Sequence, residues 1–264
     1  MSGAGDTAST SADAFLGGAL RVLQPATGYR AGLDAVLLAA AAPLQPGRAQ
    51  QVLDVGAGVG VVGLAVARRV ADAVITMVER EAAQAELCRA NIAQNGLAER
   101  ARVLVGDVSR PLGEQPGLQK LAASFEHVLA NPPYQTEGAG TASALPLKAA
   151  ANAMPRAGLE DWLRFMAAMA RPGGTATMIH RADSLDQVLL AFDGRFGGLI
   201  VFPVFPRRGA AAHRVLVQGF KGSRAPMQIR PGLILHRAGH GFRPQVDAIL
   251  RQGARLDLTE TADG

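Results

Sequence analysis

Gln51-Val52-Leu53-Asp54-Val55-Gly56-Ala57-Gly58-Val59-Gly60-Val61-Val62-Gly63 is the stretch that decides the architecture. Val52 through Val55 is a short, mostly apolar run of the kind buried in a parallel sheet. The alternating glycines that follow permit a tight turn and let a ligand lie against bare backbone, and the residues from Leu64 continue as a helix. The same alternation repeats downstream. Residues 74–79 read as a second strand ending in Glu79, residues 81–94 as a helix closed by Asn95-Gly96, residues 102–105 as a third strand ending at Gly106-Asp107-Val108, and Phe125–Ala130 as a fourth. Strands alternating with helices predict an α/β, doubly wound, Rossmann-like sheet, and ligands bind such sheets at the carboxyl ends of the strands. Gly56, Gly58, Gly60, Glu79, Asp107 and Asn131 all fall at those ends. Glu79 lies about twenty residues beyond the glycine turn, where a carboxylate accepts from ribose hydroxyls.

Directly after the fourth strand stands Asn131-Pro132-Pro133-Tyr134. Two prolines fix φ and remove N–H donors, so the carbonyls before them stay available as acceptors. The Asn131 side-chain oxygen and the Pro132 carbonyl can together accept both hydrogens of a planar NH₂ group, and Tyr134 offers a face for a flat ring. An exocyclic amine is a poor nucleophile while its lone pair is delocalised. Acceptors that favour its tetrahedral geometry stabilise the transition state more than the ground state, so no strong base is required.

The glycines from Gly58 to Gly63 also satisfy G-x-G-x-x-G, which raises the alternative of a nicotinamide-dependent oxidoreductase. That alternative leaves Asp54 and the Asn-Pro-Pro-Tyr motif without work. Taken together, Asp54-x-Gly56-x-Gly58-x-Gly60, Glu79, Asp107 and Asn131-Pro132-Pro133-Tyr134 resemble the class I S-adenosylmethionine-dependent methyltransferases. The resemblance implies a seven-stranded sheet, mostly parallel with an antiparallel final strand. It also implies S-adenosyl-L-methionine as cofactor, Asp54 and the three glycines as its loop, Glu79 at the ribose, Asp107 with Val108 near the adenine, and Asn131, Pro132 and Tyr134 as the catalytic corner, with Asn131 also touching the cofactor. Upstream, Gln24-Pro25-x-x-Gly28-Tyr29-Arg30-x-Gly32-x-Asp34-x-x-Leu37-Leu38 is similar to the bacterial branch containing the tRNA(Val) adenine-N6 methyltransferases, which act on an adenine beside the anticodon. Arg30 and Gly32 are then expected at the charged amino-acid end of the cofactor. Leu33 departs from the hydroxyl residue common there. The same corner would also serve guanine N2 in ribosomal RNA or a glutamine amide in a protein.

Composition bounds the remaining possibilities. With 264 residues, 48% hydrophobic, one domain over residues 15–255 is expected, with tails at 1–14 and 256–264. No apolar run is long enough to cross a bilayer, and Cys88 is the only cysteine, which together point to a cytoplasmic protein with neither disulfide nor cysteine-based metal site. His236 and His240 have metal-like spacing, but Gly239 and Gly241 argue against a helix there, so no metal is expected. Residues 195–264 hold 11 Lys/Arg against 4 Asp/Glu, whereas residues 1–194 hold 16 against 18. This late basic surplus suits a polyanion, tRNA or another structured RNA, with Arg207-Arg208 on a strand-joining loop. Either a monomer or a homodimer is compatible with the sequence. Residues 135–158 form a long connection rich in Gly, Ala and Ser, in which no residue reads as a general base.

Overall fold

A computed structural model describes residues 10–27, 30–133 and 156–259, with side chains from 158 in the last segment. Eleven strands occur among them: β1 Thr10–Phe15, β2 Leu20–Pro25, β3 Gln50–Val55, β4 Ala73–Glu79, β5 Ala101–Val105, β6 Phe125–Ala130, β7 Ala170–Arg181, β8 Phe196–Phe205, β9 Arg214–Lys221, β10 Gln228–Ile229 and β11 Leu233–Ile234. The helices are α1 Leu33–Ala41, α2 Val61–Arg69, α3 Ala82–Gln94, α4 Pro116–Gln119, α5 Arg156–Met169, α6 Leu185–Phe192 and α7 Pro244–Gln252.

The main sheet has the order β10-β8-β9-β7-β6-β3-β4-β5, with β11 also on β8. Its seven long strands are parallel except β9, the last of them, which runs antiparallel to both β7 and β8. This is the expected seven-stranded pattern, extended at one edge by two short pairings. One face is covered by α1, α2, α3 and α7 and the other by α4, α5 and α6, giving the two apolar layers of a doubly wound sheet. Central strands are buried on both faces, which explains their continuous rather than alternating apolar pattern.

Three boundaries differ from the sequence reading. Thr10–Phe15, expected in a tail, is strand β1, paired with β2 from Thr10↔Pro25 to Phe15↔Leu20. Leu256 and Leu258, expected in the other tail, are buried, and the Leu256 N–H donates to the Ala40 carbonyl at 3.0 Å. Arg171-Pro172-Gly173-Gly174, whose proline and glycines read in the sequence as a turn ahead of a strand from Thr175, instead lies inside β7. Pairing with β6 jumps there from Phe125↔Ala170 to His127↔Thr175, and Gly173 has φ 73°, so the segment is a bulge.

The register places the site. The chain leaves β3 for β4 and β5, then returns to β6 on the other side of β3, so the order of the sheet reverses between β3 and β6. Val55 pairs with Ala130 on one side and Val78 on the other. Gly56, Asn131 and Glu79 are therefore the next residues along three adjacent strands, at the edge where such sheets bind ligands.

Candidate active site

The turn after β3 is built on positive φ: 65° at Gly56, 56° at Gly58 and 94° at Gly60, conformations that side chains disfavour. Each glycine meets different surroundings. A Cβ at Gly56 would stand 2.2 Å from Cη2 of Trp162 on α5, and one at Gly60 would meet Cys88 Sγ at 2.7 Å, whereas one at Gly58 would project into open space. The first and third positions are thus fixed by packing, and the second leaves a bare cradle.

Two carboxylates hold this turn. Glu79, 8% exposed, accepts the Gly58 N–H on one oxygen at 2.7 Å and the Glu81 N–H on the other at 2.8 Å. Asp54, 1% exposed, accepts the Gly63 N–H at 2.9 Å and so ties the end of β3 to the first turn of α2. Burial, opposed by the Gly63 N–H and reinforced by the charge of Glu79, raises the Asp54 carboxyl to a pKa of about 7. Asp54, Gly56, Gly58 and Asn131 line one pocket, with Gln24, Ala31 and Gln84 among its other walls. Asn131 is half-buried and Pro132 is buried immediately beyond it. Tyr134 and the 135–155 connection, with Gly28 and Tyr29, lie outside the described residues.

Asp107 lines a neighbouring cleft with Arg80, Gly106, Gln115 and Leu118. The Gly106 N–H donates to the Glu79 carbonyl at 3.0 Å, so this cleft adjoins the first pocket through the end of β4. One Asp107 oxygen accepts the N–H and hydroxyl of Ser109, and Gln115 bridges the Asp107 backbone through both its N–H and its carbonyl. Val108 packs half-buried beside the same cluster.

The residues before α1 are tied to neighbouring elements. Arg30 is ion-paired with Asp13 and donates to Ser11 Oγ at 2.6 Å, so its guanidinium fastens the loop to β1. Gly32 caps α1 with open space at its Cβ position. Asp34, which from its place before the Ala/Leu-rich run reads as the cap of that helix, lies inside the first turn and pairs with Arg214 at 2.8 Å. The pocket wall from this loop is Ala31, whose N–H donates to the Gln24 side-chain oxygen at 2.8 Å while Gln24 Nε2 donates to Asp13 at 2.5 Å.

Several participants are not evident from the linear motifs. Gln24, 1% exposed, reaches the pocket only because β2 folds back along α3. Fully buried Asn91 makes that contact: its side chain accepts the Leu23 N–H at 2.7 Å and donates to the carbonyls of Leu23 and Val59, joining α3 to both β2 and the glycine turn. Trp162 closes the turn from below. The one available signal is Gln24 within the upstream motif; Asn91 and Trp162 look like ordinary helix residues.

Among the described residues no group of three or more His, Cys, Asp or Glu could hold a metal ion, and no helix is long and apolar enough to cross a membrane. His236 stacks on Phe242 with ring centroids 4.8 Å apart.

The profile of the family described as "Methyltransferase small domain" matches residues 32–159, from the cap of α1 past Asn131. The tRNA1(Val) (adenine(37)-N6)-methyltransferase of Shewanella sp. strain W3-18-1 is 33% identical over 158 residues, 60% of this chain and 63% of that protein. The protein of the same name from Escherichia coli O157:H7 strain EC4115 is 36% identical over 110 residues, 41% of this chain and 42% of its own length. The matches thus span less than two thirds of these curated relatives. A crystal structure from Agrobacterium tumefaciens, named a predicted O-methyltransferase, is 34% identical with TM-score 0.71, covering 85% of this chain and 98% of that one.

Proposed function

The chain belongs to the methyltransferase small domain family, and from that premise we propose that it is an S-adenosylmethionine-dependent N-methyltransferase acting on the exocyclic N6 of an adenine in tRNA, near the anticodon. The observation that carries this reading is the adjacency of Gly56 and Asn131 at the switch point of the sheet, with Val55 paired to Ala130. A bare glycine turn and an amide acceptor that line one pocket are what a small cationic donor and a planar amine need.

The residues fit the cofactor. Gly58 offers an open cradle, and Asp54 brings a buried carboxyl to a pocket meant for a positively charged group. Glu79, at the end of β4 between the two pockets, and Asp107, in the lining of the second, are the acceptors proposed for the hydroxyls and the amino group. When bound, S-adenosylmethionine supplies a methyl group on a positively charged sulfur. Asn131 and the Pro132 carbonyl accept the two N–H bonds of the target amine and aim its lone pair, and Tyr134 is the stacking face for an extruded base. After transfer the amine proton leaves to water. Gln24 and Asn91 are proposed as positioning residues, because they fix Ala31 and Val59 on either side of the pocket.

The test is incubation with labelled S-adenosylmethionine and total bacterial RNA, followed by digestion to nucleosides. N6-methyladenosine in the tRNA fraction is the expected product. Label at guanine N2, or only in protein, would move the acceptor while keeping the corner. The A. tumefaciens relative's name supports a second reading, oxygen methylation, which the same digest separates as a ribose- or base-O-methyl product.

A further inference from the structure

We infer that the groove at the carboxyl end of β8, flanked by Arg207, Arg208 and Arg243, is where the phosphate backbone of the substrate RNA docks; this deepens the preceding reading and rests on it. Topology makes the first part of the case. Strands β7 and β8 are both antiparallel to β9, so they run in the same direction, and β7 is parallel to β6. Through Met178 and Val217, Ala130 is level with Val201, so β8 runs on past that edge in the same direction for four more residues to Phe205, and Arg207 and Arg208 follow it directly. From β8 through β9 and β7 to β6 is three strand steps, about 14 Å across the sheet at roughly 4.8 Å each, and the four residues from Val201 to Phe205 add about 13 Å along the strand, so the separation is about 20 Å. A short run of nucleotides flanking an extruded base covers that distance.

Shape makes the second part. Strand β11 lies against β8, with Leu233 opposite Val204, and the approach is so close that a Cβ at Gly232 would meet the Pro203 carbonyl at 2.2 Å. The resulting groove runs between the β8–β9 connection and the start of α7, and is lined by Phe205, Arg207, Arg208, Gly232, Arg243 and Asp257 among others.

Charge makes the third. Arg207, Arg208 and Arg243 are exposed, and among the described residues none of them has a carboxylate partner. Arg207 donates to the Gly239 carbonyl at 2.9 Å, which fixes its position without neutralising it. The acid in the lining, Asp257, is already engaged by Arg255 at 2.7 Å and by the N–H and hydroxyl of Thr259. Three uncompensated guanidinium groups along one groove match the oxygens of a phosphate chain, which an arginine fork binds in bidentate geometry.

The experiment compares the full chain with its Arg207→Ala/Arg208→Ala/Arg243→Ala variant in filter binding to tRNA across a salt series, with S-adenosylmethionine-induced thermal shift as the measure of an intact fold. The variant is expected to lose at least tenfold in tRNA affinity at physiological salt, with the slope of log affinity against log salt shallower by about 2–3. Its cofactor shift should be unchanged, and the corresponding triple lysine variant should recover most of the slope. Equal affinity and slope in the alanine variant would place the RNA elsewhere and overturn the inference. A wild-type chain that binds no tRNA at low salt and labels only protein would defeat the underlying reading instead, a failure visible before any variant is made.

Discussion

Arginine is used in two ways on the two sides of this sheet. On the β3–β5 side it is part of the frame. Arg69 donates to the carbonyls of Ala39 and Ala42 at 2.9 Å each and closes the carboxyl end of α1, while Arg100 does the same for α2 through Ala67 and Val70. Burial, together with the charge of Arg255, even lowers the Arg69 guanidinium to about 10. On the β8 side Arg207, Arg208 and Arg243 are exposed and have no ion-pair partner among the described residues. Helix ends need a cation for their own unsatisfied carbonyls, so the first group is consumed by folding. The second is left over for a partner. Arg69 and Arg100 are thus spent on the frame, whereas Arg207, Arg208 and Arg243 keep their charge for a partner, unlike Arg214 and Arg255 nearby, which are paired within the chain.

The sharpest test of that contrast is Asn131→Ala. Turnover should fall about a hundredfold, roughly 3 kcal/mol of transition-state stabilisation, with cofactor affinity unchanged by titration calorimetry. A proportional loss of cofactor binding would mean that Asn131 belongs to the frame rather than to the acceptor corner. Next in size, Gly56→Ala should lower stability by about 3 kcal/mol in denaturant unfolding, because it combines a positive φ with a collision against the Trp162 ring. Adding Trp162→Leu should recover the steric part and leave the backbone part.

Arg69→Ala should cost about 2 kcal/mol, since two carbonyls lose a charged donor, whereas Arg208→Ala should stay within about 0.5 kcal/mol by the same unfolding assay. Equal losses would erase the distinction between frame and surface.

The smallest effect concerns pH. A carboxyl raised in the folded state favours folding fully below its unfolded pKa of 3.8, and that contribution is lost as pH rises through about 7, so Asp54 opposes folding when ionised. A cationic ligand favours the ionised form. Cofactor affinity should therefore rise about tenfold between pH 6 and 8 and then level off, with proton release seen as a buffer-dependent binding enthalpy, and Asp54→Asn should flatten the profile.

Much of this arrangement is legible in the chain because its signals are local. Each sheet strand up to β6 is a short apolar run followed by a turn signal, so the strand ends carrying Gly56, Glu79, Asp107 and Asn131 follow from order alone. Phe125–Ala130 agrees to the residue. What escapes is non-local. Thr10 has the composition of a loose tail, and becomes a strand only because Pro25, fifteen positions away, pairs with it. The partner of Arg30 within the chain is Asp13, brought beside it by β1 from seventeen positions upstream. Asp34 looks like a cap, but Arg214, far along the chain, takes its carboxylate. Gln24 reaches the pocket, and Asn91 and Trp162 support its glycine turn, through packing between elements, which no single stretch encodes.

Trp162 is the only tryptophan in the chain, against two tyrosines, and its ring rests on the first glycine of the turn. Indole emission from this protein therefore comes from one spot, directly beneath the proposed donor. Occupancy of the pocket can be followed by the colour and intensity of that emission, in unlabelled protein and on the timescale of mixing, as donor enters and spent product leaves.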